Sequence, residues 1–390
     1  MIALCLAVVL QVSTDSITLE QALERAVRDR GTVEAAAAGV AEARAAVRSA
    51  GAVTNPTVSF SYSESAPTRH LTVDQPFDWL LRRGADRAAA RAGIARATAD
   101  SAQALAGLLR DVRSAFYRAR AARLVEELVV AQASLADSVA RIAGARLRAG
   151  DISLLEQEQA AQEAARARQT ASSAHEAALV VEAELARVIA ADGTPPRASG
   201  RLDAGLDRLP DTTLDLSGIY GVRSASADSA AAAFELRSAA RRRVPLPSLT
   251  SGVEWGDPTL PGALGLIGIA LPLPLWNREG GPVEAARARA VRASALAREA
   301  RLDARRQARE TRIHLVAAAA RARFDRDTLV PAAGSLRARA VRAYRAGETG
   351  ILPVLDALRG ERDIALAALQ DQLAFQEALA EWYALSGPPR

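Results

Sequence analysis

The chain has 390 residues, of which 49% are hydrophobic, 24% are charged and only 4% are aromatic. This composition excludes a disordered chain, and the shortage of aromatic residues disfavours an all-β protein. All 50 basic residues are arginine, so a net charge of only +5 is enough to give an isoelectric point of about 10.0. Because arginine alternates with acidic residues along the predicted helices, we expect no nucleic-acid partner.

The first residues form a short apolar segment. Residues 1–14 match the apolar core of a signal peptide and are too short to span a bilayer as a helix, so we predict a signal peptide there. Cys5 is the only cysteine, which excludes a disulfide framework and a thiolate metal site. Leu4 is larger than the residue that normally precedes a lipid-modified cysteine, so lipid attachment at Cys5 is the less favoured alternative.

Residues 15–195 form a first structural repeat in which the hydrophobic period changes twice. Apolar residues recur at helical spacing up to Gly51, alternate with polar residues around Val58 and Phe60, and return to helical spacing after Gly84. The second helical stretch, about 65 residues at 1.5 Å each, is too long to be stable in water unless it is packed along its length. The predicted elements are a helix at 18–50, strands at 57–65 and 70–78, a long helix at 84–149 and a returning helix at 153–191.

A linker at 196–212, rich in glycine and proline, leads to a second repeat at 213–390. The order of elements is the same, and matching breaks lie roughly 190–200 residues apart, which indicates a tandem duplication. The predicted elements are a helix at 214–243, strands at 248–256 and 263–276, a long helix at 280–346 and a final helix to about 384.

The four predicted strands require an unusual environment. Isolated hairpins are marginally stable, and the segment Leu264–Leu275 is apolar at nearly every position, so water is not its natural surroundings on both faces. No later segment has the roughly 18 apolar residues of a membrane helix, but tilted strands can cross a bilayer in a closed barrel. Single-chain barrels start at about eight strands, so four must be combined with those of other copies. With cyclic symmetry, a dimer would have eight strands and a trimer twelve.

Aromatic residues support this interpretation. Trp79, Trp255 and Trp276 lie at the ends of the predicted strands or just beyond them. Membrane barrels carry girdles of aromatic residues at both interfaces, and these three residues are candidates for one. The alternative is that the rings cap a small core.

The two long helices end in matching turns. The first tip turn, 148–153, contains Arg148, Gly150 and Asp151, and the second, 345–352, contains Arg345, Gly347 and Glu348. Each glycine is placed to supply a left-handed helix cap, and each arginine suits the negative end of the helix dipole. If the strands lie at one end of a long rod, both turns are expected at the other.

At this point the sequence resembles the TolC-like outer-membrane efflux proteins, over essentially the whole chain after residue 15. The resemblance rests on the segments "ITLEQALERAVRDRGTVEAAAAGVAEARAAV", "QPFDWLLRRGADRAAARAGIARA", "LRAGDISLLEQEQA" and "YRAGETGILPVLDALRGERD". The segment "IGIALPLPLWNREGG" is similar to the heavy-metal efflux branch, in which a Pro-Leu-Pro-Leu-aromatic-Asn stretch is frequent.

The resemblance implies a protein that is mainly α with a small membrane β part: a homotrimer with a twelve-stranded outer-membrane barrel and a long α-helical barrel in the periplasm. It implies a periplasmic adaptor protein and an inner-membrane pump of the resistance-nodulation-division type as partners, and no cofactor. The residues Arg148, Gly150 and Asp151, with Arg345, Gly347 and Glu348, would then dock the adaptor.

The resemblance also implies that acidic residues just past the tip glycines line the closed entrance of the duct. Glu156 and Asp356 are the candidates, whereas Pro353 stands where family members often carry another acid. Ser153 and Glu156 also have the spacing of a capping box, which explains Glu156 without a role in the pore. Asp356 has a similar alternative as a residue of the helix start.

Two other functions stay open. The same duct would also serve drug efflux or type I protein secretion, and a soluble coiled-coil scaffold is the alternative of a different class. An enzyme is not expected, because His70, His175 and His314 are far apart in sequence and no phosphate-loop, zinc or nucleophile motif occurs. We also expect no metal site, since no cysteine cluster or histidine and methionine relay is present.

Overall fold

The computed structural model of the chain describes residues 16–211, 215–275 and 279–386. Within these ranges the fold is mostly helical. The helices are α1 (Leu19–Asp29), α2 (Gly31–Ala50), α3 (Arg83–Ala149), α4 (Leu154–Val188), α5 (Tyr220–Arg241), α6 (Gly280–Phe324), α7 (Val330–Arg345) and α8 (Ile351–Ser386). The strands are β1 (Ser16–Ile17), β2 (Thr57–Tyr62), β3 (Arg69–Pro76), β4 (Arg197–Ala198), β5 (Ser248–Trp255) and β6 (Ala263–Ala270). The predicted signal peptide with Cys5, and Trp276, lie outside the described residues.

The chain divides into two compact units, each built from segments of both predicted repeats. One unit, here the tip unit, comprises the described residues 16–33, 105–211 and 307–386. The other, the sheet unit, comprises Glu34–Ala104 and Asp215–Arg306. The helices α3 and α6 contribute to both units. The duplicated sequence therefore does not fold as two separate halves.

The tip unit has three hydrophobic clusters. One joins α1 to α3 and the end of α4, around Val112 and Phe116. A second lies beneath the two tip turns, and a third packs α6 and α8 around Phe375 and Trp382. Much of this core is alanine, whose small side chain allows long helices to approach closely along their length.

The sheet unit contains a four-stranded antiparallel sheet in the order β2-β3-β5-β6. The two predicted hairpins are joined through β3 and β5, so that Asp74 lies opposite Thr250 and His70 opposite Glu254. This pairing of the two repeats was not predicted from the sequence. The helices of the unit pack through small residues such as Ala99 on α3, Ala232 on α5 and Ala293 on α6.

The strands end earlier than predicted. The last predicted strand, 263–276, stops at Ala270, since Pro272 and Pro274 have no N–H group to donate to a neighbouring strand. The strand predicted at 70–78 ends at Pro76, where Phe77 N makes one more bond, to the carbonyl of Pro247 at 3.2 Å, and Pro247 has no N–H group to return. The strand predicted at 57–65 ends at Tyr62, where the turn to β3 begins.

Two helices that were predicted as continuous are interrupted. The helix at 18–50 breaks at Arg30, which has extended dihedral angles (φ −90°, ψ 130°) between α1 and α2. The long helix at 280–346 contains a π-helical turn, Asp325–Leu329, between α6 and α7. Pro331 explains the second break, because in a regular helix its ring would clash with the carbonyl four residues earlier, and a widened turn relieves that clash.

The sequence showed no apolar run long enough for a membrane helix, yet α3 contains an 18-residue window of mean hydropathy 1.2 with at most two charged residues. Length and composition of this kind are shared by membrane helices and by packed helices of soluble bundles. Of this window 28% is buried, and Val139 belongs to the cluster beneath the tip turns. A single such helix, selected by length and composition alone, is weak evidence of a membrane span.

Candidate functional site

The sheet has one predominantly apolar face. Side chains alternate along a strand, and directly paired residues point to the same side, so the register assigns each residue to a face. Val58, Val73 and Ile267 point to one face of the sheet. Phe60, Leu71 and Val253 lie two residues along the same strands or paired with them, so they point to that same face. The remaining apolar members are Tyr62, Leu249, Trp255 and Ile269, and the polar exceptions are Arg69, Gln75 and Ser251.

This apolar face is exposed in the single chain. Phe60 is 63% exposed, Ile267 78% and Ile269 77%. Leaving side chains of this size in water forgoes roughly 1.5–3 kcal/mol each relative to burial. The face therefore fits an apolar environment such as a bilayer.

The opposite face is polar on three of its four strands. Its residues are Thr57, Ser59, Ser61, His70, Thr72, Asp74, Ser248, Thr250 and Glu254. His70 Nδ1 lies 3.2 Å from Glu254 Oε1, and Asp74 accepts hydrogen bonds from the hydroxyls of Ser248 at 3.1 Å and Thr250 at 2.8 Å. The exceptions are Leu264 and Leu266 on β6. A sheet with one apolar and one polar face is typical of a membrane barrel wall with an aqueous lumen.

The candidate aromatic residues are only partly brought together. Trp255 ends β5, and its ring lies 6.2 Å from that of Phe60 on the apolar face. Trp79 lies instead in the turn before α3, half-buried, with the Arg83 guanidinium 5.6 Å from its ring centre. Trp276, the third predicted girdle residue, is outside the described residues.

Both edges of the sheet are open. Within the described ranges, β2 pairs only with β3 and β6 only with β5. An exposed edge presents unpaired N–H and C=O groups that pair readily with a strand of another chain. Four strands with two open edges are therefore incomplete as a unit.

The two tip turns have the same backbone structure. Gly150 and Gly347 have φ angles of +82° and +80°, the left-handed conformation that glycine adopts readily. Asp151 N donates to Arg146 O and Gly150 N to Leu147 O, and the equivalent donors Glu348 and Gly347 repeat both bonds at the second turn. This pair of bonds is the Schellman motif that ends many helices.

The predicted docking residues are all accessible. Arg148, Gly150, Asp151, Arg345, Gly347 and Glu348 are exposed. Arg148 Nε donates to Gly144 O in its own helix, 3.2 Å away, so its charge lies at the helix end as predicted from the dipole.

The two turns lie side by side, joined by Arg146. Its Nη1 donates to the carbonyl of Tyr344 at 3.2 Å, and its guanidinium lies 4.9 Å from the centre of the Tyr344 ring. Burial raises the pKa of the Tyr344 phenol, and the nearby Arg146 charge opposes that shift. Tyr344 is fully buried in the cluster that also holds Val139 and Ile351. Arg146 and Tyr344 were not singled out from the sequence.

The structure places Glu156 in the capping box. Glu156 N donates to Ser153 Oγ at 3.3 Å, and Ser153 N donates to Glu156 Oε2 at 3.2 Å. Its other oxygen, Oε1, lies against the backbone of Gly350, so that a Cβ atom there would be 3.4 Å away. Glu156 thus touches the second tip turn from the first.

Asp356, by contrast, is exposed on α8. Asp356 interacts with Arg359, whose pKa is raised mainly by a hydrogen bond to Glu163 and further by the charge of Asp356. Arg359 Nη2 and Glu163 Oε2 are 2.6 Å apart and join α8 to α4.

A buried ion pair that the sequence did not reveal joins α3 to α4. Arg123 donates through Nε and Nη2 to the two oxygens of Glu182, each at 2.5 Å, and both residues are buried. This bidentate contact raises the pKa of the Arg123 guanidinium. The two residues are 59 apart in a chain rich in both types, so spacing alone gave no signal.

Among the residues that the structure describes, no group of three or more His, Cys, Asp or Glu side chains is arranged to hold a metal ion. Three of the contacts described above pair opposite charges across helices or strands: Arg123 with Glu182, Arg359 with Glu163, and His70 with Glu254.

No family model matches the chain. No characterised protein matches it in a sequence search.

Solved structures, in contrast, match it over nearly the whole length. CusC, which forms a transmembrane channel, is 18% identical and superposes with a TM-score of 0.78 over 95% of this chain and 92% of its own. The outer membrane protein VceC from Vibrio cholerae is 22% identical, with a TM-score of 0.76 over 95% of this chain and 96% of its own. The MtrE outer membrane channel from Neisseria gonorrhoeae is 18% identical, with a TM-score of 0.74 over 94% of this chain and 88% of its own.

The chain therefore has the fold of outer-membrane channel proteins. At these identities the likeness defines the fold and does not transfer a substrate. CusC and MtrE are channels, and VceC is an outer membrane protein.

Proposed function

We propose that the protein is the outer-membrane exit duct of a tripartite efflux system of the TolC-like type. The observation that carries this proposal is the four-stranded sheet, apolar on one face, largely polar on the other, and open at both edges. Three copies would close a twelve-stranded barrel with the apolar face toward lipid and the polar face toward the lumen. A soluble scaffold gives no reason for the exposed Ile267 and Ile269 side chains.

The partners follow from the same proposal. A duct without an enzymatic site needs an energised pump elsewhere, and the tip turns offer an exposed docking surface for a periplasmic adaptor. The pump would be of the resistance-nodulation-division type. The periplasm would hold the helical part, and the outer membrane the sheet.

Heavy-metal cations are the substrate class we favour. This choice rests on the Pro-Leu-Pro-Leu-Trp-Asn stretch that follows β6. A deletion strain complemented with the gene should regain resistance to divalent metal cations and not to organic drugs. The reverse result assigns the duct to drug export, and the neighbouring pump and adaptor genes provide an independent check.

Assembly is tested by joining the open edges. In a Cys5→Ser background, Ser59→Cys on β2 together with Leu266→Cys on β6 should give oxidised dimers and trimers, because β2 of one copy pairs with β6 of the next. A matched control places the second cysteine at Thr72 on the central strand β3, where no crosslink between copies is expected. A stable monomer in detergent by native mass measurement, with no crosslinked species, rejects the barrel.

Transport is tested in planar bilayers. The purified trimer should form conducting channels, whereas a scaffold protein should be soluble and monodisperse without detergent. Absence of conductance from a protein that is trimeric and membrane-inserted would reject the duct and retain the barrel.

A further inference from the structure

The π-helical turn between α6 and α7 buries a carboxyl group that has no obvious cation. Asp325, the first residue of the turn, is only 8% exposed. Its Oδ2 atom is buried and has no hydrogen-bond partner in the described part of the chain. Burying an ionised carboxylate without a partner is unfavourable, and this favours the protonated form of Asp325.

The π-helical turn that holds Asp325 contacts α8, which carries a second carboxyl group, Asp371. Arg321 lies one helical turn before Asp325, on the same face, and its Nε donates to Asp371 Oδ1 at 2.8 Å. Arg321, Asp325 and Asp371 therefore form one group of two carboxyls and a single guanidinium, and the guanidinium is engaged by Asp371. Burial raises the pKa of Asp325, the neighbouring Asp371 raises it further, and Arg321 partly opposes this.

The other cations around the turn are occupied elsewhere. Arg323 on α6 donates to the carbonyl of Leu206. Arg326 donates to Asp207 and Asp327, each at 2.8 Å, and lies 3.9 Å from Asp203. On the α8 side, apolar Phe375 lies one turn beyond Asp371 and is fully buried. No other charged group is described against Asp325.

We propose that Asp325 and Asp371 form a proton-binding site, in which one shared proton joins the π-helical turn to α8. An O–H of one carboxyl donating to an oxygen of the other satisfies the buried Oδ2 atom and removes the repulsion between two negative charges. When the proton leaves, the two carboxylates compete for Arg321, and the turn is held less firmly. Because α7 runs from this turn to the second tip turn, its packing on α8 then depends on pH.

The direction of the pH dependence follows from linkage. The pKa of Asp325 is higher in the folded protein than in the unfolded chain, where an aspartate has a value of about 3.9. The stabilisation is fully present below the unfolded value and is lost as the pH rises through the folded value. The packing of α7 should therefore be firmest in mild acid and weaken toward alkaline pH.

Hydrogen exchange of the α7 amides in the purified full-length protein tests this site. After correction for the intrinsic exchange rate, protection in the wild type should fall as the pH is raised above about 4, by at most about tenfold per pH unit, and should level off above the folded pKa of Asp325. Asp325→Asn keeps a neutral side chain at every pH, so its protection should be independent of pH. Asp327→Asn is the matched control in the same turn: Asp327 is ion-paired with Arg326, which lowers its pKa, so this variant should keep the wild-type slope.

A second variant keeps the test decisive if Asp325→Asn does not fold. In Asp371→Asn, Arg321 becomes free to pair with Asp325, which then stays ionised, so the slope should also disappear. Infrared spectroscopy of the wild type should show the C=O stretch of a protonated carboxylic acid that persists to higher pH than in either variant and disappears over the pH range in which protection falls. A flat wild-type profile, or a slope retained in Asp325→Asn, overturns the proposal.

Discussion

The two tip turns have the same backbone but different side-chain surroundings. In both, a Schellman motif ends a long helix, with glycine in the left-handed conformation and an arginine two residues before it. Positions equidistant from the two glycines are nevertheless occupied differently. Arg146 corresponds to Ala343, Leu147 to Tyr344, and Glu156 to Pro353.

These three differences make the contact between the turns one-directional. Arg146 of the first turn donates to the Tyr344 carbonyl of the second, whereas the Ala343 side chain has no hydrogen-bond donor for the first turn. Glu156 closes a capping box at the start of α4, whereas Pro353 in the first turn of α8 has no N–H group that needs a partner. The duplication therefore preserves what a helix reversal requires of the backbone, and the two copies diverge in the side chains that meet between them.

Tyr344 should account for the largest difference between the turns. Tyr344→Ala removes a fully buried ring from the cluster beneath both tips and should destabilise the tip unit by about 3–5 kcal/mol. Leu147→Ala, at the equivalent but only half-buried position, should cost roughly 1 kcal/mol. Denaturant unfolding followed by circular dichroism measures both, and equal losses would show that the cluster does not depend on the second turn.

The tip glycines test the part that the turns share. Gly150→Val and Gly347→Val should each cost about 1–2 kcal/mol, because a β-branched residue disfavours positive φ. No crowding contributes at Gly150, which has no atom within 4 Å of an added Cβ. Both variants should impair export while trimers still form, as measured by resistance assays and native mass.

The matched control is Gly144→Ala in the interior of α3, which also has open space around an added Cβ and should stabilise the helix by roughly 0.5–1 kcal/mol. Normal crosslinking to the adaptor in the double glycine variant would argue against docking at the tips. A neutral effect of both valines on stability would contradict the left-handed caps.

Arg146 tests the contact between the turns. Arg146→Ala should cost about 1 kcal/mol, since it removes one hydrogen bond and one guanidinium–ring contact. A double-mutant cycle with Tyr344→Leu should show a coupling of roughly 0.5–1 kcal/mol for the ring contact. Arg148→Ala is the control. In the described part of the chain, Arg148 hydrogen-bonds only to Gly144 of its own helix, so this variant should change the free energy of unfolding by close to zero. If the losses of unfolding free energy in the two single variants add up to the loss in the double variant, the guanidinium–ring contact does not contribute to stability.

The sequence predicted the elements because each hydrophobic period persists over many residues and because glycines mark the ends of the long helices. Gly150 and Gly347 end the two long helices. The strands were located by the change of the hydrophobic period from about 3.6 residues to two. Boundaries were missed where a local effect competes with the period. Arg30 breaks a helix whose apolar spacing continues, Pro331 widens a turn inside a helix, and Pro272 removes a strand donor.

The contacts between distant segments were not predictable from one sequence. Arg146 with Tyr344, and Arg123 with Glu182, join residues that are far apart in the chain, and arginine is its commonest charged residue. Nothing in the spacing distinguishes these arginines from the other 48. The pairing of β3 with β5 depends on how the two repeats meet, which a pattern within each repeat does not specify.

The smallest expected effect separates the two roles of Glu156. In a trimeric duct, three copies each of Glu156 and Asp356 would gather carboxylates around one axis, attracting cations and disfavouring anions. Glu156→Gln keeps an oxygen for the capping box and should leave stability unchanged, whereas Glu156→Ala should cost about 0.5–1 kcal/mol. Both should reduce cation preference in planar-bilayer conductance, and by less at high salt, where the screening length is about 3 Å at 1 M.

Asp356→Asn provides the comparison without a cap, because Asp356 is exposed on α8 and takes no part in a described capping hydrogen bond. It should lower cation preference and leave thermal stability unchanged. If Glu156→Gln retains full cation preference while Asp356→Asn loses it, the second turn alone supplies the charge at the entrance. Glu156 is then a capping residue only, because its carboxylate already serves Ser153 and lies against Gly350.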